Sequence, residues 1–292
     1  MGNTRYVSAQ EAISSIKPGS TVLISESCAE PQTLIEALVE SKERLKGTRL
    51  IEGRRFTGSK LAPLYDYFHI VTLHVTPESR ELVHLGKVDF LPVKLSEIHT
   101  LFQPSGSLPI DVALIQVSPP DKHGYCSLGV SAGYTLDAAL NARMVIAEVN
   151  KQMPRTYGRT QLHIDQLHYV VETSRPLLEY PFPEIGDAEM AVARNVSQLI
   201  NDGSTLSLGI GTIPEAVVRA LDGKHDLGIH SGMITDAIIV PIMGKIITNE
   251  RKTLDKGKTV AGQAMGTKKL FEFINENPRV ELHPYSYTHD IM

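Results

Sequence analysis

Asn201-Asp202-Gly203-Ser204-Thr205-Leu206-Ser207-Leu208-Gly209-Ile210-Gly211-Thr212-Ile213-Pro214-Glu215-Ala216 decides the fold, because turn, strand, glycine loop and helix start follow one another within it. Asn-Asp-Gly is a turn signal, and Thr205-Leu206-Ser207-Leu208 after it reads as a short buried strand. Pro214 suits the first turn of a helix, where its missing N–H is no loss. Leu227-Gly228-Ile229-His230-Ser231-Gly232-Met233-Ile234-Thr235-Asp236 reads as a second strand ending in a glycine-containing loop. Gly209 and Gly211 carry no Cβ, so the backbone there can approach a ligand closely, and the helix N-terminus that follows favours negative charge. A ligand site is expected here.

The same pattern occurs earlier in the chain. Gly19-Ser20-Thr21-Val22-Leu23-Ile24 leads to Pro31 and Leu34-Ile35-Glu36-Ala37-Leu38, as Gly203-Ser204-Thr205-Leu206-Ser207-Leu208 leads to Pro214 and Val217-Val218-Arg219-Ala220-Leu221. The spacing from Pro to the last Leu is identical, and the loops before Pro differ by one residue. Both units read as tight turn, apolar strand, irregular loop and helix with Pro in its first turn, so an internal duplication is expected, with the ligand between the related halves.

Outward from these units, strands are expected at 49–52, 70–75, 89–93, 111–117 and 144–149, with a helix starting near Thr135 and another from about Asp187 to Leu199. Strands alternating with helices predict two related open α/β domains with largely parallel sheets. Pro181-Phe182-Pro183-Glu184-Ile185-Gly186 is the expected linker, dividing residues 1–186 from 187–292. The stretch after Ile200 is little more than half as long as the first unit. The second domain is therefore expected to be incomplete, either truncated or completed by self-association or a partner chain.

The 292 residues are 42% hydrophobic and 21% charged, with net charge -4, which gives no electrostatic reason to expect nucleic acid or an anionic membrane as partner. The start, Met1-Gly2-Asn3-Thr4-Arg5-Tyr6, lacks the apolar core of a signal peptide, and Tyr6 stands where a myristoylation motif has Ser or Thr. Cys28 and Cys126 form no C-x-x-C pair, which suits a reducing cytoplasm.

Individual motifs are less decisive. Pro214 replaces the third glycine of a dinucleotide fingerprint, which argues against a nicotinamide site. Gly209-x-Gly211 can equally serve only tight strand-to-helix packing. The loop from Ser118 to Gly129 follows a buried strand and offers Asp121 and His123 beside Gln116, or those polar groups merely cap the loop's own backbone. Cys126 has no assignable His and Asn partners and reads as a buried small hydrophobe. His230-Ser231-Gly232 lacks a nucleophile elbow, and the scattered histidines form no metal motif, so no metal is expected. In the strand, glycine loop and helix at 259–273, Gly266 can admit a ligand and Lys268 or Lys269 can meet phosphate, or the lysines are simply solvated.

Taken together, Ser118-Pro-Pro-Asp-x-His-Gly-Tyr-Cys-Ser-Leu-Gly129, Gly209-Ile-Gly-x-Ile-Pro214, Lys224-His-Asp-Leu-Gly-Ile-His230 and Met265-Gly-Thr-Lys-Lys-Leu270, followed by Asn277-Pro278-x-Val280-Glu281, strongly resemble the acetyl-CoA hydrolase/transferase family, nearest its 4-hydroxybutyrate CoA-transferase branch. The resemblance runs from about Thr21 to Asp290. It implies two similar α/β domains with acyl-CoA in the cleft between them, coenzyme A as substrate, a small carboxylate as second partner, and Gly209, Gly211, Gly266 and Lys268 around the CoA and thioester. It also implies a glutamate that attacks the thioester, giving an acyl-glutamyl anhydride and then a glutamyl-CoA thioester. Here the family's His-x-Glu-Met is His230-Ser231-Gly232-Met233, and Gly232 has no side chain to act as nucleophile. Three readings follow: CoA transfer between small carboxylic acids, hydrolysis by water with Glu30, Glu52 or Asp236 as candidate base, or non-catalytic acyl-CoA binding.

Overall fold

Every residue of the strand Val112–Val117 is buried, with Val112 and Leu114 in one apolar core and Ala113, Ile115 and Val117 in another. The same alternation separates Val22 and Ile24 from Leu23, and Leu50 from Ile51. Strands apolar on both faces belong inside a parallel sheet covered on both sides, as their continuous apolar runs predict. The computed structural model describes residues 4–182 and 184–290; the start of the chain at Met1–Asn3 and Pro183 of the expected linker lie outside the described residues.

Eight parallel strands form the larger sheet, in the order Arg5–Tyr6, Tyr169–Thr173, Met144–Asn150, Val112–Val117, Thr21–Ile24, Arg49–Glu52, His69–Thr72 and Val88–Phe90. Five parallel strands form the second, in the order Thr205–Leu206, Gly228–Ile234, Thr259–Ala264, Val280–Leu282 and Tyr157–Gly158. The fold is α/β with two largely parallel sheets.

The duplicated units adopt matching turns. Gly19 and Gly203 have φ of +79° and +78°, a conformation that favours glycine. Each is followed by a strand and then a helix, Gln32–Glu40 or Thr212–Arg219. Pro214 lies in the first turn of its helix, whereas Pro31 occupies the N-cap position just before the other. The larger difference is in the sheets. Thr21–Ile24 sits between Val112–Val117 and Arg49–Glu52, whereas Thr205–Leu206 pairs only with Gly228–Ile234. The expected buried strand at 205–208 is thus a two-residue edge strand with Thr205 exposed, because no strand covers its outer side among the described residues.

The halves interlock. Tyr157–Gly158 precedes the expected division near residue 186, yet it forms the far edge of the second sheet. Ala132 and Gly133 donate backbone hydrogen bonds to the Gly262 carbonyl at 3.1 and 3.0 Å, and the Ala264 N–H donates to Val130 at 2.7 Å. Cys28, Val130 and Met153 share a core with Ile229, Ile234 and Phe271. The helix Asp187–Leu199 places Asp187 and Glu189 in its first turn, where carboxylates complement the helix dipole, and packs against Thr212–Arg219.

Candidate functional site

Open parallel sheets put ligand crevices beyond the carboxyl ends of their strands, and here those ends meet from both sheets. A cavity of about 250 Å³ receives Glu26 from beyond Thr21–Ile24, Arg54 from beyond Arg49–Glu52 and His74 from beyond His69–Thr72. From the second sheet come Ser207 to Ile210, Gly232, Met233 and Gln263. Leu95, together with Tyr285 and His289 at the short helix Tyr285–Thr288, completes it.

Gly209 and Gly232, assigned from sequence to a thioester pocket and to the nucleophile position, are therefore brought together. Gly211, with φ +114°, caps the helix Thr212–Arg219 just beyond the lining. The backbone N–H groups of Gly209 and Ile210 find no acceptor among the described residues, so they remain available to an oxyanion. Gly266 and Lys268 lie elsewhere. Gly266 accepts from the Tyr180 N–H at 2.8 Å, and Lys268, exposed and 3.6 Å from Glu272, lines a separate cavity of about 590 Å³ with Lys151 and Phe271.

At Gly232 the place of a side chain is filled. A Cβ there would lie 2.5 Å from Cε1 and 2.6 Å from Nε2 of His289. Burial lowers the pKa of that imidazole, so it is neutral near pH 7. Close approach is also built in behind it: a Cβ on Gly262 would sit 2.6 Å from the Tyr285 ring and 2.7 Å from the Gly232 carbonyl.

Each of the carboxylates considered from sequence as a base is engaged. Glu30 accepts from the Phe56 N–H at 2.6 Å, from the Thr57 N–H at 3.3 Å and from the Thr57 hydroxyl, with Arg55 at 3.6 Å. Glu52 pairs with the buried Arg55 at 2.5 Å. Asp236 accepts from the Thr267 N–H and hydroxyl at 2.9 and 2.6 Å, fixing the loop that carries Gly266. Committed in this way, none of the three lines the Gly209–Gly232 cavity.

Glu26 does line it. Its Oε1 accepts a hydrogen bond from the Tyr285 hydroxyl at 2.9 Å, and that hydroxyl accepts from Gln263 Nε2 at 2.8 Å. Its Oε2 is buried without a hydrogen-bond partner. Burial, the leading cause, pushes the carboxyl from its ordinary 4.5 up to about 7, against the opposing Tyr285 hydrogen bond and the charge and backbone N–H of Arg54. Gly53 and Gly133 make the space, since a Cβ on either would come within 2.8 or 2.7 Å of a Glu26 oxygen. Sequence reasoning missed Glu26. The one available signal was a carboxylate immediately past a buried strand of the first duplicated unit.

The Ser118 to Gly129 loop holds itself. Asp121 accepts from the His123 and Tyr125 N–H groups at 2.8 and 3.0 Å. Burial pushes the Cys126 and Cys28 thiols up to about 11 and 12, which leaves them poor nucleophiles.

Residues 3–179 match the profile described as Acetyl-CoA hydrolase/transferase N-terminal domain. Among relatives, a 4-hydroxybutyrate coenzyme A transferase of Clostridium kluyveri is 43% identical over 288 residues, covering 98% of this chain and 67% of its own length. A succinyl-CoA:cyclohexane-1-carboxylate CoA transferase of Geobacter metallireducens is 37% identical over 294 residues, covering 97% and 64%. The crystal structure of RipA from Yersinia pestis superposes with a TM-score of 0.93 at 31% identity, covering 98% of this chain and 69% of that one. The chain thus spans about two thirds of the length of these proteins.

Proposed function

Because the chain belongs to the acetyl-CoA hydrolase/transferase family, we propose that it binds the CoA thioester of a small carboxylic acid where the two sheets meet, with the acyl group beside Gly209 and Gly232. The supporting observation is the cavity itself, which gathers strand ends of both sheets around a glycine loop with free N–H donors. Gly211 then serves the backbone approach beside the cavity, while Gly266 and Lys268, away from it, take the far end of CoA, Lys268 toward its phosphates. Transfer to a second carboxylate through an acyl-glutamyl intermediate would need a side chain that Gly232 lacks. CoA transfer between small carboxylic acids by another group of the site and release of the acyl group to water are the two chemistries this proposal keeps. The division of the chain near residue 186, action in the cytoplasm and completion by self-association or a partner chain belong to the same proposal.

A second reading, a non-catalytic acyl-CoA-binding protein or subunit, is favoured by one observation: the His289 ring fills the space where a side chain at 232 would begin. Calorimetry with acetyl-CoA followed by a thiol-release assay separates the two. Binding with release supports the enzyme, binding without release supports the second reading, and absence of binding defeats both.

A further inference from the structure

A carboxyl group can leave position 232 without leaving the cavity. Glu26 reaches the same space from the other sheet, and its contacts differ from those of the other buried carboxylates nearby. Glu30 and Glu52 share Arg55, and Glu30 also takes two N–H groups and a hydroxyl. Glu26 has the Tyr285 hydroxyl as its donor at hydrogen-bond distance, the Arg54 backbone N–H beside it, and an Oε2 without a partner at that distance. Burying an oxygen without a partner is costly, and a water entering the cavity beside Oε2 would relieve it. The carboxyl also lines the same cavity as Gly209 and Gly232, where the reacting thioester is placed.

We propose that Glu26 replaces the missing glutamate in kind but not in mechanism, serving as general base for water and making the chain an acyl-CoA thioester hydrolase. The inference rests on acyl-CoA binding as set out above. In the step, the Glu26 carboxylate takes a proton from water while the water oxygen bonds to the thioester carbonyl carbon. The carbonyl electron pair moves onto oxygen, facing the N–H groups of Gly209 and Ile210. As the carbonyl re-forms, the C–S bond breaks, and the departing CoA thiolate receives the proton held by Glu26. Acyl-CoA and water become carboxylic acid and free thiol, with no co-reactant. Glu26 is only 1% exposed, which leaves no room for a bulky acyl carbon at its oxygen. That favours a base over a covalent nucleophile.

The groups facing Glu26 are Glu30 on its own loop, Arg54 from the adjoining strand end, the hydroxyls of Tyr134 and Tyr285, and, across the cavity, His74 and His289. Burial and the Arg54 charge push the His74 pKa down to about 4, and burial lowers that of His289, so both imidazoles are neutral where Glu26 titrates. With its carboxyl at about 7, Glu26 is suited to base catalysis near neutrality. Tyr285 is a positioning residue, since it aims the carboxyl through Oε1 and leaves Oε2 free.

The test uses the whole chain with acetyl-CoA. Thiol release is followed from pH 5.5 to 8.5 for the wild type, Glu26→Gln, Glu26→Asp and His289→Ala, and binding is measured in parallel by calorimetry with a CoA thioether. The expected result is release rising with pH through about 7, thioether affinity retained in Glu26→Gln, and its release reduced by about 100-fold or more. Glu26→Asp should keep the pH-dependent rise at a lower rate, and His289→Ala, whatever its rate, should keep the rise through about 7. Release undiminished in a folded Glu26→Gln overturns the proposal, as does loss confined to His289→Ala, which would make the imidazole the base. Thioether binding without release in the wild type overturns it while leaving the binding reading intact; no thioether binding defeats both.

Discussion

Glu26 titrates near neutrality in the folded chain, so its ionisation is linked to stability. Its folded pKa, about 7, lies above its ordinary 4.5. The folded state therefore holds the proton more tightly, and the resulting stabilisation is complete below 4.5 and lost as pH rises through 7. The size is about 3 kcal/mol. Glu26→Gln should flatten stability between pH 4.5 and 7 in urea titrations; an unchanged slope would mean the carboxyl is not buried as described. Tyr285→Phe removes the donor to Oε1 and should cost about 1–3 kcal/mol. It should also move the midpoint of the pH–rate profile upward, since that hydrogen bond lowers the Glu26 pKa. A midpoint that stays or falls would contradict the positioning role. At Gly232, a glutamate side chain must displace the His289 ring, so Gly232→Glu should destabilise by about 1–3 kcal/mol, and less when combined with His289→Ala. The double variant is the one expected to transfer CoA from acetyl-CoA to labelled propionate through an adduct trapped by borohydride.

At the scale of elements, Gly211 joins the second unit's strand to its helix. Its φ of +114° suits glycine alone, while a Cβ there would meet open space. Gly211→Ala therefore carries a backbone cost without a steric one, about 1–3 kcal/mol of stability. It should weaken acetyl-CoA binding by tilting the loop whose residues Gly209 and Ile210 line the cavity. Full stability together with full affinity would show that the loop conformation is not required. The elements themselves were legible in sequence because their signals are local. Asp187–Leu199 and Val112–Val117 follow apolar spacing and turn residues over a few positions. The edge placement of Thr205–Leu206 was not, since an apolar run does not reveal how many neighbours its strand will have.

At the scale of the molecule, among the described residues the second sheet has an open side where the first is continued by four further strands, from Val112–Val117 outward. The described surface also carries exposed apolar side chains in the second unit, with Leu199 82%, Val240 70% and Met243 72% exposed. Covering such a surface is favourable, so sedimentation of the pure chain is expected to give a mass above 32.1 kDa. A clean monomer would count against self-association and leave a separate completing chain.

By itself the sequence determined the duplicated units, the α/β class, the glycine loop and the vacancy at Gly232, because each is written in residue type and spacing within a few tens of positions. It also carried the family, through motifs spread along most of the chain. Only the tertiary structure decided what surrounds that vacancy. Glu26 and Tyr285 are 259 residues apart and 2.9 Å from each other, and His289 stands where the side chain at 232 would be. Local spacing cannot encode such contacts: they arise when two sheets point their strand ends at one another, and burial there gives a carboxyl a chemistry its neighbours in sequence do not reveal.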